Sequence, residues 1–365
     1  MSPYDHMLAA SPAGPSGMSN PVTYLRREIA EQPEIVRRLA GAGEAALAVA
    51  ARIRARRVHT VLFVARGTSR HTAIYGQYLA GVLVGLPSGL LLPSVLTLYG
   101  RRLRMRDTLV IAISQSGETP EVIKCLAGAR EQGALTVAVT NEADSPLGAV
   151  ADELLVTAAG NENAVAATKT YTSQLAMLAL LFASWSRDQA LLTALSREVP
   201  EAMAQALALE GEIEALAHRW AEHNQLLVIA RGFNEATAME AALKVQETAS
   251  IAAVSYSAAE FLHGPISMVG PGLGGLVFIM PGPTAAGLRG VALTLEDRGV
   301  DAMLVAPPEI HVGRLPALRL ARGIPEALTT LPAIIPAQLL AFHLASLRGL
   351  DPDHPRGLSK VTRTE

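Results

Sequence analysis

The sequence is thinly supplied with several residue types whose absence limits what the protein can be. Cys125 is the one cysteine in 365 residues, which excludes an internal disulfide framework and a thiolate metal cluster and fits a reducing, cytoplasmic setting. Sitting in a helical pattern, it reads as a buried thiol rather than a nucleophile. The histidines lack metal-ligand spacing: His218 and His223 would diverge on a helix, so no metal is expected. Aromatic residues make up 4% and the formal net charge is −2 with both signs interspersed, so the balance carries no footprint for nucleic acid or an anionic membrane. The longest apolar run, Leu175 to Trp185, is too short to cross a bilayer. Neither GxxxxGK[ST] nor GxGxxG occurs after a strand, which disfavours nucleotide chemistry and leaves no cofactor implied. Two arginine-rich stretches, Arg52 to Arg57 and Arg101 to Arg106, could steer an anion toward a cleft or simply face water, and they are given no catalytic role.

Half of the residues are hydrophobic, chiefly Ala, Leu, Val and Gly, a composition that suits helices covering a parallel sheet. The chain also repeats itself. Val61 to Ala73, VLFVARGTSRHTA, returns in degenerate form as LLVIARGFNEATA at Leu226 to Ala238, an offset of about 165 residues. Leu109 to Ile113, Leu135 to Thr140 and Glu153 to Thr157 are matched in order by Leu276 to Met280, Ala302 to Ala306 and Ala317 to Ala321. Strands alternating with helical patterns predict two doubly wound α/β domains in tandem, each a flavodoxin-like three-layer α/β/α unit with its own core. Helices from about Thr170 to Trp185 and from about Ala190 to His218 would join them.

The halves differ in chemistry. Leu109 to Ile113 runs into Ser114, Gln115, Ser116, Gly117, Glu118 and Thr119, whereas its counterpart ends in Pro281-Gly282-Pro283-Thr284. Thr119 can cap a helix with Pro120 in its first turn and Glu121 complementing the dipole. The hydroxyls of Ser114, Ser116 and Thr119, with that of Ser69 from the neighbouring turn, would converge on a helix N-terminus suited to a phosphate. Such crevices lie outside the carboxyl ends of parallel strands.

Lys244 and Glu247 fall on one face of a helix and read either as a surface ion pair or as a pair dipping into a cleft, since Ser250 to Val254 is small and apolar. His263 precedes a Gly-Pro break on an exposed loop, where histidines are often inert. Together a carboxylate and an imidazole supply the proton carriers of aldose-ketose chemistry. The chain ends in an extended tail from Asp351, in which Lys360 is either solvated or, if desolvated over a site, able to meet a carbonyl.

With GTS, SQSGET, VAATKTYTSQL (Val165 to Leu175), ALKVQE, EFLHGP and PRGLSKVTRTE in order, the chain resembles the double sugar-isomerase (SIS) family, in particular the isomerase half of glutamine:fructose-6-phosphate amidotransferase, from about Asn20 onward. The resemblance implies that Ser69, Ser114, Gln115, Ser116 and Thr119 hold the phosphate of a hexose 6-phosphate, and that Val165 and Thr168 line the sugar. It further implies Glu247 as the proton-transfer base assisted by Lys244, His263 as the ring-opening group supplied by the partner of a homodimer with a shared site, and Lys360 at the substrate carbonyl carbon. The expected division is an extension over residues 1–20, a phosphate-binding SIS domain over 21–195, a second SIS domain over 196–348 and a tail over 349–365 closing the site. Only the short extension precedes the isomerase region, so the expectation is a stand-alone, cytoplasmic glucosamine-6-phosphate deaminase of the second type rather than a glutamine-dependent enzyme. Deamination or isomerisation of galactosamine 6-phosphate or fructosamine 6-phosphate, and a non-catalytic sugar-phosphate sensor, are the alternatives.

Overall fold

The computed structural model describes residues 23–360; the extension over 1–20 and the last five residues of the tail lie outside it. The first half runs α1 (Tyr24–Gly41), α2 (Glu44–Arg54), β1 (Thr60–Ala65), α3 (Gly67–Val84), β2 (Ser88–Leu90), α4 (Pro93–Thr97), β3 (Thr108–Ile113), α5 (Pro120–Glu131), β4 (Leu135–Thr140), α6 (Pro146–Val150), β5 (Glu153–Val156) and α7 (Lys169–Ser186). The second runs α8 (Gln189–Ser196), α9 (Glu198–Leu207), α10 (Glu210–Trp220), β6 (Gln225–Ala230), α11 (Glu235–Ala249), β7 (Ala252–Ser257), α12 (Ala258–Leu262), β8 (Gly274–Phe278), α13 (Ala285–Asp297), β9 (Asp301–Ala306), β10 (Ala317–Arg319) and α14 (Thr330–Leu347).

Both sheets have five parallel strands, ordered β2-β1-β3-β4-β5 and β7-β6-β8-β9-β10, the flavodoxin-like order in each half. TLVIAI of β3 and LTVAVT of β4 are buried throughout, because helices cover both faces of a parallel sheet and leave no polar side to alternate with. The strand order reverses between β1 and β3, and between β6 and β8, which fixes where each half can open a crevice.

Three features depart from the sequence reading. The segment from Ala190 to His218 is three helices, α8 to α10, because Pro200 in the first turn of α9 has no N–H to continue a helix from α8. The edge strands β2 and β7 were not anticipated: β2 is only three residues long, and α11 ends at Ser250 in a left-handed conformation (φ 53°) so that the small, apolar stretch pairs along β6. The halves do not keep separate cores either. One large cluster runs through Phe63, Tyr75, Leu175, Phe182, Ala241 and Leu339, joining the inner faces of both sheets, while each outer face has a smaller cluster of its own. Helices α7 and α14 sit inside that shared cluster and are apolar all round, as buried helices are. The segment Glu326–Leu347 is long and apolar enough to cross a membrane, but 89% of it is buried within the protein.

The tail is bound to the start of the described chain. The Asp353 carboxylate accepts from the backbone N–H groups of Tyr24 (2.8 Å) and Leu25 (2.7 Å), capping α1, and the Asp353 carbonyl accepts from Val165 N–H (3.0 Å). The tail thereby reaches the loop between β5 and α7.

Candidate active site

A cavity of about 420 Å³ opens outside the carboxyl ends of β1 and β3, at the point where the strand order reverses. Its hydroxyl-rich end is built by two turns. Ala65 pairs with Ile113 at the ends of β1 and β3, which sets the start of α3 beside the Ser114–Thr119 loop. Gly67 has φ 52° and Gly117 φ 65°, and a Cβ on Gly117 would lie 2.4 Å from the Ser145 Cβ, so the loop can close only over glycine. Ser114 Oγ accepts from Gly117 N–H and lies 3.2 Å from Thr119 Oγ1. Ser69 Oγ accepts from Gln174 Nε2 at 3.1 Å, which leaves its own O–H to donate into the cavity. Thr119 precedes Pro120 at the start of α5 without capping it through its side chain. Ser69, Ser114, Gln115, Ser116 and Thr119 all line this end.

The opposite end holds charge. Glu247 on α11 and Lys360 of the tail both line the cavity, as do Val165 and Glu162. Lys244 Nζ lies 2.5 Å from Glu247 Oε2, 3.3 Å from Glu240 Oε1 and 3.4 Å from Thr68 Oγ1. Burial by itself would discharge this amine, but the two carboxylates outweigh it and raise its pKa above the usual lysine range. Lys244 is therefore a fixed ammonium that holds Glu247 in place, and it is buried behind the cavity wall. Burial would likewise raise the Glu240 carboxyl, yet Lys244, His71 (Nδ1 at 2.7 Å) and Thr68 (3.0 Å) hold it below its ordinary value.

Lys360 Nζ donates to Glu162 Oε2 at 2.9 Å and to the Ala164 carbonyl at 2.6 Å. Glu162, fully buried, also accepts from Thr168 N–H (2.8 Å), Thr170 N–H (3.1 Å) and Thr170 Oγ1 (2.7 Å). Desolvation would raise the Glu162 carboxyl, but Lys360 and these donors keep it below the ordinary value. From the other side, Glu28 of α1 accepts from the N–H groups of Asn163 (2.5 Å) and Ala164 (3.2 Å), and burial pushes its carboxyl up. The loop carrying Val165 is thus gripped between two buried carboxylates.

The remaining two expected residues stand apart. Thr168 is buried at the start of α7, with its backbone N–H on Glu162 and its hydroxyl without a partner. His263 is exposed at the end of α12 and does not line the cavity. Glu162, Glu240, Gln174, Arg66, Thr68 and His71 were not foreseen. Glu240 alone had a signal, lying one helical turn before Lys244 and so on the same face; the others meet the site only through tertiary contacts.

The second half has no equivalent cradle. Its loop Pro281–Thr284 lacks the hydroxyl cluster, and the Glu326 carboxylate packs against Gly282, the counterpart of Gly117. The molecule is therefore a tandem α/β protein with a hydroxyl-rich turn at the switch point of one sheet and a carboxylate–ammonium array from the other half closing the same cavity. The family model described as SIS domain matches residues 56–184 and 220–309, and the chain belongs to the SIS-domain family.

Across 94% of its length the chain is 35% identical to the isomerizing glutamine–fructose-6-phosphate aminotransferase of Methanothermobacter thermautotrophicus, of which it covers 58%. The chain thus spans somewhat more than half the length of the curated relatives it matches. Among solved structures it is similar to a provisionally assigned phosphosugar isomerase from Silicibacter pomeroyi DSS-3 (37% identity, TM-score 0.84), covering 91% of this chain and all of that one. The fold is also that of a Thermotoga maritima glucosamine-6-phosphate deaminase (20% identity, TM-score 0.74), covering 94% of this chain and all of that one.

Proposed function

We propose that this protein is a sugar-phosphate aldose-ketose enzyme that converts glucosamine 6-phosphate to fructose 6-phosphate and ammonia. The observation that carries the reading is the placement of Glu247, held by a buried ammonium, in the same cavity as the hydroxyl-rich turn and two helix N-termini. That arrangement suits a substrate with a phosphate at one end and an acidic C–H at the other. The phosphate would sit on Ser69, Ser114, Gln115, Ser116 and Thr119, with Val165 along the sugar and Thr168, buried behind the wall, bonding the loop to Glu162 rather than touching the sugar. After ring opening, Glu247 takes the C2 proton and returns it to C1, while Lys244 holds the carboxylate in position and Lys360, at the substrate carbonyl, faces the negative charge that develops on its oxygen. Water then adds to the C2 imine and ammonia leaves.

Ring opening is assigned to His263 of a second copy in a homodimer with a shared site. Leu262 and Met268 on either side of it are about half exposed, so the loop presents apolar surface beside the imidazole, as an interface would. The long apolar segment Glu326–Leu347 is read as a core helix of the fold, since it is buried within the protein.

The test is release of ammonia and formation of fructose 6-phosphate from glucosamine 6-phosphate by the purified protein, with Glu247→Gln as control. Wild-type turnover that falls by about 10²- to 10⁴-fold in the variant supports the reading. Absence of turnover, with hexose 6-phosphates still raising the melting temperature, redirects the search to other amino sugar phosphates or to a sensor.

A further inference from the structure

Arg66 is the last residue before α3 and lines the cavity beside the hydroxyl-rich turn. It donates from Nε (2.9 Å) and from Nη2 (2.6 Å) to the same oxygen, Oε2 of Glu121. Glu121 lies in the first turn of α5 and is nearly buried, so an anion seated at the N-terminus of α5 has a carboxylate as its neighbour. Like charges at such range cost binding unless a cation lies between them. Of the described residues lining the cavity, the only cations are Arg66 and Lys360, and Lys360 is committed to Glu162 and the Ala164 carbonyl at the other end. A guanidinium has five N–H donors; the two that hold Glu121 leave the rest of the fork, and the side chain is 46% exposed.

The repeat separates this pair from a mere feature of the fold. The second half keeps an arginine at the same position, Arg231, but has no acidic residue in the first turn of α13 and no hydroxyl cluster before it. Carboxylate and guanidinium occur together in the half that has the hydroxyls.

We propose that Arg66 binds the substrate phosphate directly while neutralising Glu121, and so selects phosphorylated over unphosphorylated sugars. The inference rests on the reading of this cavity as a hexose 6-phosphate site and adds to the hydroxyl set a charged contact that the sequence did not suggest. It assigns Arg66 to binding, with proton transfer left to Glu247.

The test measures binding of inorganic phosphate and of fructose 6-phosphate by titration calorimetry, and KM and kcat for the reaction, in wild type, Arg66→Met, Arg66→Lys, Glu121→Gln and the Arg66→Met/Glu121→Gln double variant. Loss of a charge-assisted contact should weaken both ligands about 10- to 100-fold in Arg66→Met and raise KM to match, with kcat within about threefold. Arg66→Lys, which keeps the charge and guards against unfolding, should lose less; Glu121→Gln should bind at least as tightly as wild type. The double variant decides between contact and neutralisation: it stays weak if Arg66 touches the phosphate, and recovery to wild-type affinity overturns the proposal. Wild-type affinity in Arg66→Met also overturns it, whatever happens to kcat or melting temperature, leaving the reading of the site intact. Failure of the wild type to bind either ligand sinks the site reading itself.

Discussion

Replacing Glu162 should separate the architecture of the site from its chemistry. The side chain is fully buried and is the acceptor for two backbone N–H groups, one hydroxyl and the Lys360 ammonium. Glu162→Ala strands the N–H groups of Thr168 and Thr170 in the interior, at about 1–3 kcal/mol each. The Thr170 hydroxyl can rotate, and Lys360, 28% exposed, can turn to water, so neither adds much. The total is about 2–6 kcal/mol, a large part of the stability of a typical domain. Glu162→Gln keeps an acceptor for the backbone but loses the charge, and should cost about 1–2 kcal/mol. Because the folded carboxyl lies below its ordinary pKa, its ionic contribution is fully present above the unfolded value of about 4.3 and is lost as pH falls through the folded one. The gap between wild type and Glu162→Gln should therefore hold from neutral pH to about pH 5 and close below pH 4. Urea unfolding followed by circular dichroism over this range measures both quantities. A Glu162→Ala variant within about 0.5 kcal/mol of wild type, or a Gln variant as damaged as the Ala one, would refute the reasoning, since either result means that the bonds are not what holds the loop.

Three other outcomes are expected. Lys244→Met leaves Glu240 buried with His71 and Thr68 as its remaining partners and should lower stability by about 3–5 kcal/mol in thermal unfolding, because a buried carboxylate loses its ammonium. Gly117→Ala meets Ser145 at 2.4 Å and should both destabilise the protein by about 2–4 kcal/mol and abolish phosphate binding, whereas Gly160→Ala, also at positive φ but with nothing within 4 Å, should cost only about 1–2 kcal/mol. If His263 serves the neighbouring subunit, co-expressing His263→Asn with Glu247→Gln should restore about a quarter of wild-type turnover, because half of the dimers are mixed and each has one intact site; no recovery in the mixture would place His263 outside a shared site.

How far the sequence reaches depends on the range of the interactions involved. The strands from Val61, Leu109, Leu135 and Leu226 were legible because burial on both faces writes a continuous β-branched run, and the hydroxyl turn because a capped helix start after such a strand is a local pattern. The edge strands β2 and β7 were not legible, since a short or half-exposed strand has neither a full apolar run nor a strict alternation to mark it. The division into two cores failed for a similar reason: α7 and α14 announce that they are buried, but nothing in their residues says which sheet they cover.

The sequence by itself determined the two-fold repeat, the parallel sheets and the asymmetry that gives one half alone a hydroxyl-rich turn, because each is set by neighbours within a few residues. Tertiary structure decided which charges meet. Lys360 was paired with Glu162 across 198 positions, His71 was brought to Glu240 across 169, and Arg66 was brought to Glu121 across 55. A carboxylate and an ammonium attract at any sequence separation, so only the folded path of the chain selects among the possible pairs.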